Sequence, residues 1–378
     1  MAGEEKMTDQ LVPAEVFSPG EFLSEELEAR GWSQQEFAEI LGRPANAVSQ
    51  IINGKRAITP STAKELAAAL GTSPMLWMSL DASYRLHYTE PPPKRIAVEA
   101  RIRSIYPVRD MIQRGWIEHS ETPEVLEARV LDFFGVESVD ERPTFRMAAR
   151  AGISGSEDLA ELSNQQMAWL FRVKRIADTM QVPAYSETTL REALGRLEAL
   201  MSEPEETRHV PRILDECGVR FVVVEPFAGS NIDGVCFWLN SWQPVVGMTL
   251  RYDRIDNFWF VLRHELEHVL KRDAALDTDL TPRSSAVREQ EKLADDAAAS
   301  FGVTEEILDS FIRRVDPLYS ERRVVAFALK NGVHPGIVVG RLQYRLGRFN
   351  FLRKYLVGIR EHVAPAAMTD GYGQFCPV

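Results

Sequence analysis

The clearest chemical pattern in the sequence is the run His264-Glu265-Leu266-Glu267-His268. On a helix, two histidines four residues apart project from the same face, so both imidazoles can bind a single Zn²⁺. Glu265 is turned by about 100° from His264 and cannot share its ligand position. It can instead act as a general base that takes a proton from water. The run therefore predicts a hydrolytic zinc centre with one ion per chain.

Zinc in such a centre needs a third protein ligand, and Glu291 is the candidate. Glu291, Ala294, Asp295 and Ala298 follow an i, i+3, i+4, i+7 spacing and form one stripe of a helix. The alanines allow a close approach to the histidine helix, and Asp295 can hold a ligand imidazole by a hydrogen bond. Glu289 is the alternative ligand, but it lies about 160° around the helix from Glu291. We therefore expect Glu291 to complete the ligand set with the two histidines.

The elements that must position these residues form a small α+β domain. Three runs rich in β-branched and aromatic residues, separated by turn residues, predict strands at 219–225, 234–239 and 244–250. One of these strands is expected to present an edge to an extended peptide. Helical periodicity then predicts five helices, at 255–272, 284–300, 304–314, 321–331 and 335–345.

A second set of residues, near the start of the chain, has the pattern of two short helices joined by a tight turn. Ser33 predicts the N-cap of the first helix, Glu36 completes a capping box, and Gly42 ends the helix. The second helix is predicted at 44–53, with Val48, Ile51 and Ile52 facing inward. Such a helix-turn-helix can place its second helix in the major groove of DNA.

The other face of this second helix carries small and polar side chains that suit base edges: Ala45, Asn46, Ser49 and Gln50. Three basic residues flank the helix: Arg43, and then Lys55 and Arg56, which lie where the phosphates would run. Residues 14–80 nevertheless hold 8 acidic and 5 basic residues. A packing or protein-interaction module without DNA binding therefore stays open as the alternative.

The N-terminal pattern resembles a Cro/C1-type (XRE) DNA-binding domain, and in particular the HigA-like antitoxin subgroup. The resemblance covers about 70 residues and includes 33–54, Ile58-Thr59, Ala63, Leu66-Ala67, 70–73 and Trp77. It implies that Gln34 contacts phosphate, that Asn46, Ser49 and Gln50 read bases, and that a homodimer binds a double-stranded DNA operator.

The later pattern, His264–His268 followed by Glu-x-x-Ala-Asp-x-x-Ala from Glu291, resembles the ImmA/IrrE family of bacterial zinc metallopeptidases over about 206–350. The resemblance includes the late segment 334–343, and Ala297 departs from it because the family usually has a larger apolar residue there. It implies a zincin-like peptidase domain. Some members of the family cleave repressors of phage, mobile-element or DNA-damage genes.

Two further features have two interpretations each. His334, before Pro-Gly at a helix entry, is expected either to donate to the oxyanion of a tetrahedral intermediate or to be a turn histidine. Residues 311–360 hold 11 basic residues and only Asp316 and Glu321 as acids. This stretch is either a solvated helical face or a surface for an anionic signal such as single-stranded DNA.

Composition limits the class of protein. The chain has 378 residues, of which 45% are hydrophobic and 26% charged, which predicts two or three globular domains. A net charge of −11 excludes a generally basic nucleic-acid binder, so any DNA contact must be local. Three scattered cysteines fit a reducing cytosol. With no secretion signal or membrane-spanning run visible, we expect a cytoplasmic protein that does not contact membranes.

These observations predict an α+β, predominantly helical chain: an N-terminal all-α helix-turn-helix domain, a helical connector and a C-terminal zincin-like domain with a small sheet. The expected divisions are a flexible segment 1–14, the DNA-binding domain 15–88, the connector 89–205, the metallopeptidase domain 206–362 and a tail 363–378. The expected function is a DNA-binding regulator whose endopeptidase cleaves a repressor or other regulatory protein in a stress, phage or mobile-element response.

Two alternative functions stay open. One is a HigA-like antitoxin or repressor in which the peptidase domain is a sensor or scaffold without turnover. The other is a zinc hydrolase that acts on something other than protein.

Overall fold

The structure, a computed structural model, describes residues 16–141, 143, 162–272, 275–278, 285–374 and 376, without the side chains of 275–278 and 285–288. The predicted flexible segment 1–14 lies outside the described residues. The chain divides into two compact units, Met1–Pro93 and Lys94–Val378. Each unit has its own hydrophobic core.

The first unit is a bundle of short helices around a core that includes Phe37, Val48, Ile51, Leu66 and Trp77. Its helices are α1 (Pro19–Arg30), α2 (Gln34–Ile40), α3 (Ala45–Ile52), α4 (Pro60–Leu70) and α5 (Pro74–Tyr88).

Local sequence explains where the helices of the first unit begin and how tightly they pack. The predicted capping box of α2 is present, with Ser33 accepting from the Glu36 amide, and Ser18 forms a second such box at α1. Gly20 lets α1 approach α3 closely, because a Cβ at Gly20 would lie 2.0 Å from the carbonyl oxygen of Ile52. The predicted helix-turn-helix is confirmed as α2 and α3.

The second unit is built on a five-stranded sheet with strand order β4-β2-β3-β1-β5. β1 pairs parallel with β3 and β5, and β2 pairs antiparallel with β3 and β4. The three predicted strands are confirmed with small shifts at their ends. The strands are β1 (Arg220–Val224), β2 (Ile232–Trp238), β3 (Pro244–Met248), β4 (Ala275–Thr278) and β5 (Met368–Asp370).

Helices cover both faces of this sheet, so β1 and β3 are buried along their whole length. Val222 and Val224 of β1 face the layer of α6 (Lys94–Ile105), α7 (Val108–Gln113), α8 (Pro123–Phe134) and α9 (Asn164–Thr179). Phe221 and Val223 face a second layer. Its helices are α10 (Glu187–Glu198), α11 (Val210–Glu216), α12 (Ile255–Lys271), α13 (Ser285–Ala299), α14 (Glu305–Val315), α15 (Glu321–Lys330), α16 (Pro335–Leu346) and α17 (Arg360–Val363).

Two segments have a different position in the fold from the one that the sequence predicted. Most of the connector 89–205 belongs to the second unit, where α6 to α9 form one of the layers on the sheet. The segment 363–378, expected to be a tail, contains β5, and its Asp370 forms a buried ion pair with Arg172 of α9. Both segments are therefore part of one core.

The expectation that a strand before α12 presents a free edge is wrong for this sheet. β1, β2 and β3 all have neighbours on both sides, and the edge positions belong to β4 and β5. The sequence alone did not reveal these two short strands. In the part of the chain that the structure describes, no helix is long and apolar enough to cross a membrane.

Candidate metal centre and nucleic-acid interface

Helix α12 carries the candidate metal centre through the core of the second unit. Most of its residues are buried, so its position is set by packing on both the sheet and the neighbouring helices. Its last turn ends at Arg272, which has a left-handed φ of 57°. The Arg272 guanidinium lies within 6 Å of the rings of Tyr185, Trp238 and Trp242, at 5.7, 5.3 and 5.8 Å. These cation–π contacts anchor the end of the helix.

Three side chains converge on one point beside α12. His264 Nε2 lies 3.1 Å from His268 Nε2 and 3.2 Å from Glu291 Oε2, and His268 Nε2 lies 3.7 Å from Glu291 Oε1. A tetrahedral zinc ion with bonds of about 2.0–2.1 Å separates its ligand atoms by about 3.4 Å. Two imidazole nitrogens and a carboxylate at these separations are therefore a donor set that can hold such an ion, with a fourth position left for water or substrate.

The environment keeps the histidines in the form that binds a metal. Burial lowers the pKa of His268 to about 4, although the Glu291 carboxylate opposes this effect. The ring is therefore neutral near pH 7 and has a lone pair to donate. His264 is nearly fully buried, and its Nδ1 lies 3.1 Å from Asp295 Oδ1. With Nδ1–H donating to Asp295, His264 Nε2 carries the lone pair that can bind a metal.

Helix α13 brings Glu291 to the histidines because its contact face is made of small residues. Ala294 and Ala298 are buried, with exposed fractions of 0% and 6%. The alternative ligand Glu289 is exposed and is not a member of the ligand cluster that the described residues form. The structure thus brings together His264, His268, Glu291 and Asp295, the four residues that the sequence grouped.

Glu265, the predicted general base, is fully buried on a different side of α12. Its carboxylate lies against Gly234 of β2, where a Cβ would come within 2.4 Å of Glu265 Oε1. The motif spacing did not indicate Gly234 as a residue of the site. An isolated glycine inside a strand pattern was the available signal, since such a glycine often marks a close approach by another group.

His334 has the contacts of a turn histidine. It is the N-cap of α16, where its Nδ1 accepts the Gly336 amide at 3.1 Å, and its own amide donates to the Met201 carbonyl at 2.7 Å. Burial lowers its pKa, while Glu203 and Glu205 oppose that shift. The structure does not place His334 in the ligand cluster, and its contacts tie α16 to the segment 201–205.

Several basic residues of the stretch 311–360 form ion pairs inside the second unit. Arg341 and Arg345 of α16 both pair with Glu305 of α14, and Lys354 pairs with Glu321 at 2.8 Å. These contacts favour the solvated helical face over a surface for an anionic signal.

The candidate nucleic-acid interface is the exposed face of α3 with its flanks. Ala47, Val48 and Ile51 are buried. The opposite face and the flanks carry residues that are exposed (Gln34, Ala45, Asn46, Lys55 and Arg56) or half-buried (Ser49 and Gln50). This face can approach a groove without unfolding any part of the unit.

Two side chains of this surface have partners within the unit. Arg43 forms a bidentate ion pair with Glu65 of α4, at 2.6 and 3.0 Å, and this pairing lowers the pKa of Glu65. Asn53, which the sequence analysis did not single out, donates to the Ser49 hydroxyl at 3.2 Å. Arg43 therefore fixes α4 beside the turn, and Asn53 orients one of the predicted base-reading side chains.

The first unit is also where the chain matches known proteins. Residues 23–77 match the helix-turn-helix family. Over 72 residues the chain is 32% identical to an uncharacterized HTH-type transcriptional regulator, YddM, of Escherichia coli (strain K12), a match that covers 19% of this chain and 77% of that protein. Through its N-terminal unit the chain therefore belongs to the helix-turn-helix family of HTH-type transcriptional regulators.

Solved structures similar to this chain include several antitoxins. An addiction module antidote protein of the HigA family from Coxiella burnetii is 40% identical, with 19% of this chain and 78% of that chain covered and a TM-score of 0.18. A putative antidote protein of a plasmid maintenance system from Nostoc punctiforme is 38% identical. The match covers 19% of this chain and 79% of that chain, with a TM-score of 0.19. Antitoxin HigA from Pseudomonas aeruginosa, solved with the higBA promoter, is 28% identical. The match covers 21% of this chain and 100% of that chain, with a TM-score of 0.19.

Proposed function

We propose that this chain is a transcriptional regulator that binds a DNA operator through its first unit and carries a zinc-dependent peptidase in its second. One observation carries the peptidase half: His264, His268 and Glu291 converge at separations that suit a tetrahedral ion. The substrate is a protein, such as a repressor that controls a stress, phage or mobile-element response.

The DNA-binding half rests on the family of residues 23–77 and on the exposed polar face of α3. In this proposal α3 lies in the major groove, Asn46, Ser49 and Gln50 read base edges, and Gln34 and Lys55 contact phosphates. Two copies of the chain bind the two halves of a two-fold operator.

In the proposed reaction His264, His268 and Glu291 hold Zn²⁺, and Asp295 keeps the His264 ring in the required tautomer. A zinc ion held by these three ligands would supply Lewis acidity, which would polarise the scissile carbonyl and lower the pKa of the attacking water. Glu265 takes a proton from that water as its oxygen bonds to the carbonyl carbon. Glu265 then gives the proton to the amine nitrogen as the C–N bond breaks, which leaves a carboxylic acid and an amine.

A second candidate is a DNA-binding antitoxin or repressor whose second unit senses or scaffolds without turnover. The observation that favours it is the complete burial of Glu265, the residue that would have to meet the water. Both candidates share the same DNA-binding unit, so the test must concern Glu265.

The test compares new protein N-termini in cells that express the wild type, Glu265→Gln or Glu267→Gln, with and without DNA damage. Glu267 is the matched control because it lies on the same helix, one turn from Arg263, with which it forms an ion pair at 2.7 Å. We expect N-termini that the wild type and Glu267→Gln produce and Glu265→Gln does not. The same N-termini from Glu265→Gln would refute the general base, and operator binding without any such N-termini would favour the second candidate.

A further inference from the structure

A groove beside the candidate metal centre indicates what kind of peptide the site takes. It has a volume of about 540 Å³ and lies between α12, the end of α13, the start of α14, and α16. Asp295, the partner of His264, is part of its wall. Phe260 lines it one turn before His264, with ring centroids 6.4 Å apart. The groove therefore borders the candidate metal centre through Phe260 and Asp295, which both lie beside His264.

The groove has an apolar floor and an aromatic rim. Trp259 and Leu308, on the floor, are almost completely buried. On the rim, Phe260, Tyr344 and Phe349 have exposed fractions of 38%, 81% and 64%. Exposed aromatic side chains around an apolar depression are typical of binding sites, because an apolar ligand removes their surface from water.

Most charges around the groove are already compensated by partners. Arg254 pairs with Asp256 at 2.6 Å, and Arg341 and Arg345 share Glu305. An anionic ligand group entering the groove would lose its hydration and would find each of the lining arginines already paired with an acid, which is costly. An uncharged apolar side chain meets no such penalty.

We propose that this groove binds bulky apolar side chains of an extended peptide next to the scissile bond. The proposal rests on the peptidase function and names its substrate class: segments with Leu, Phe, Met or Ile beside the cleaved bond. The volume lies within the range of about 300–1,000 Å³ that is usual for ligand sites, so the groove can take more than one side chain.

Photo-crosslinking to the full-length protein tests the groove without requiring turnover. The probe is Ac-Ala-Ala-Bpa-Ala-Ala-NH₂, where Bpa is benzoylphenylalanine, and mass spectrometry locates the label. We expect label on Phe260 or on the segment 344–349. We also expect at least five-fold competition by the same peptide with Phe in place of Bpa, and less than two-fold competition by the Asp version.

Two variants and a control complete the design. Ala299→Trp fills the groove, and Phe349→Ser removes an exposed ring of its rim at little risk to folding. Labelling should fall at least ten-fold in Ala299→Trp and several-fold in Phe349→Ser. Ala82→Trp, the same exchange at an exposed position of α5, should label like the wild type.

Label elsewhere, equal competition by the Asp peptide, or wild-type labelling of both groove variants would overturn the groove proposal. Its failure is separable from failure of the proposed peptidase. Zinc binding and cleavage without label in the groove would refute the groove alone, whereas groove labelling of a chain that binds no zinc and cleaves nothing would refute the peptidase alone.

Discussion

Glu265 lies with its carboxylate against the backbone of Gly234, so the predicted general base depends on a residue without a side chain. Gly234→Ala should displace the carboxylate while leaving the metal ligands in place. Because a general base contributes roughly 100-fold or more, we expect proteolysis to fall by at least that factor with zinc content unchanged. Cleavage of a confirmed substrate and metal analysis measure the two effects.

Gly195→Ala is the matched control for Gly234→Ala. Gly195 is exposed within α10, and a Cβ there would meet nothing within 4 Å. Alanine is the better helix former, so this change should raise the free energy of unfolding by about 0.5–1 kcal/mol without affecting cleavage. Equal activity of Gly234→Ala and Gly195→Ala would show that the Gly234 contact does not position the base.

Residues of the α3 surface should divide into those that read sequence and those that hold the backbone. Gln50→Ala should relax specificity at one base step, at a cost of about 1–3 kcal/mol for the lost contact. Lys55→Ala should weaken binding to all sequences and flatten the salt dependence, since it removes a phosphate contact. Titrations of the full chain against an operator selected from random DNA measure both effects.

Lys64→Ala provides the control for Lys55→Ala, because Lys64 is an exposed lysine on α4, outside the α3 surface. It should bind DNA with the affinity and salt slope of the wild type. A loss of the same size in both lysine variants would indicate a non-specific effect of charge instead of a contact made by Lys55.

At the scale of single residues, the spacing in the sequence was enough to predict which residues form the ligand cluster. The i, i+4 histidines and the i, i+4 pair of Glu291 and Asp295 lie on helices, where sequence separation determines direction. The contact between Gly234 and Glu265 joins a strand to a helix, and the pairing of Arg43 with Glu65 joins the segment between α2 and α3 to α4. Such contacts depend on tertiary packing, which the local pattern does not contain.

At the scale of elements, the distance between α12 and α13 decides whether Glu291 reaches the histidines. Ala294 is completely buried between these elements, whereas Ala297 is only half-buried. Ala294→Leu should push α13 away and weaken zinc binding about 10- to 100-fold, the range for changes that disturb the support of a ligand. Competition with a chromophoric chelator measures this affinity, with Ala297→Leu as the control. Equal zinc affinity in the two variants would contradict the proposed role of this contact.

The five helices predicted between residues 255 and 345 and the three longer strands followed from periodicity and composition, but β4 and β5 did not. β4 spans four residues and β5 three, so neither has room for a pattern that distinguishes it from a loop. β5 becomes a strand because it pairs with β1, more than 140 residues earlier in the chain. The edge positions of the sheet therefore could not be predicted from the sequence.

At the scale of the whole molecule, the chain divides into two compact units, and the break between them follows Pro91–Pro93. Three consecutive prolines suit such a boundary because they disfavour helix and sheet alike. The connector, in contrast, could not be recognised as a layer of the second unit, since amphipathic helices look alike whether they form a separate domain or cover a sheet.

Because the first unit has its own core, a fragment that ends at Glu90 should bind DNA without the rest of the chain. We expect this fragment to prefer the same operator over random DNA as the full chain does. Gel shifts at physiological salt measure the preference. Equal affinity of the fragment for operator and random DNA, with specificity retained by the full chain, would show that the second unit takes part in reading the sequence.

The central claim is that His264, His268 and Glu291 hold one zinc ion, and metal analysis of the purified full-length protein tests it most directly. We expect about one zinc per chain in the wild type and in Glu289→Ala, and nearly none in Glu291→Ala or His264→Ala. Circular dichroism of each variant establishes that the fold is retained. Full zinc occupancy in Glu291→Ala, or a correctly folded wild type that takes up no zinc, would contradict the account.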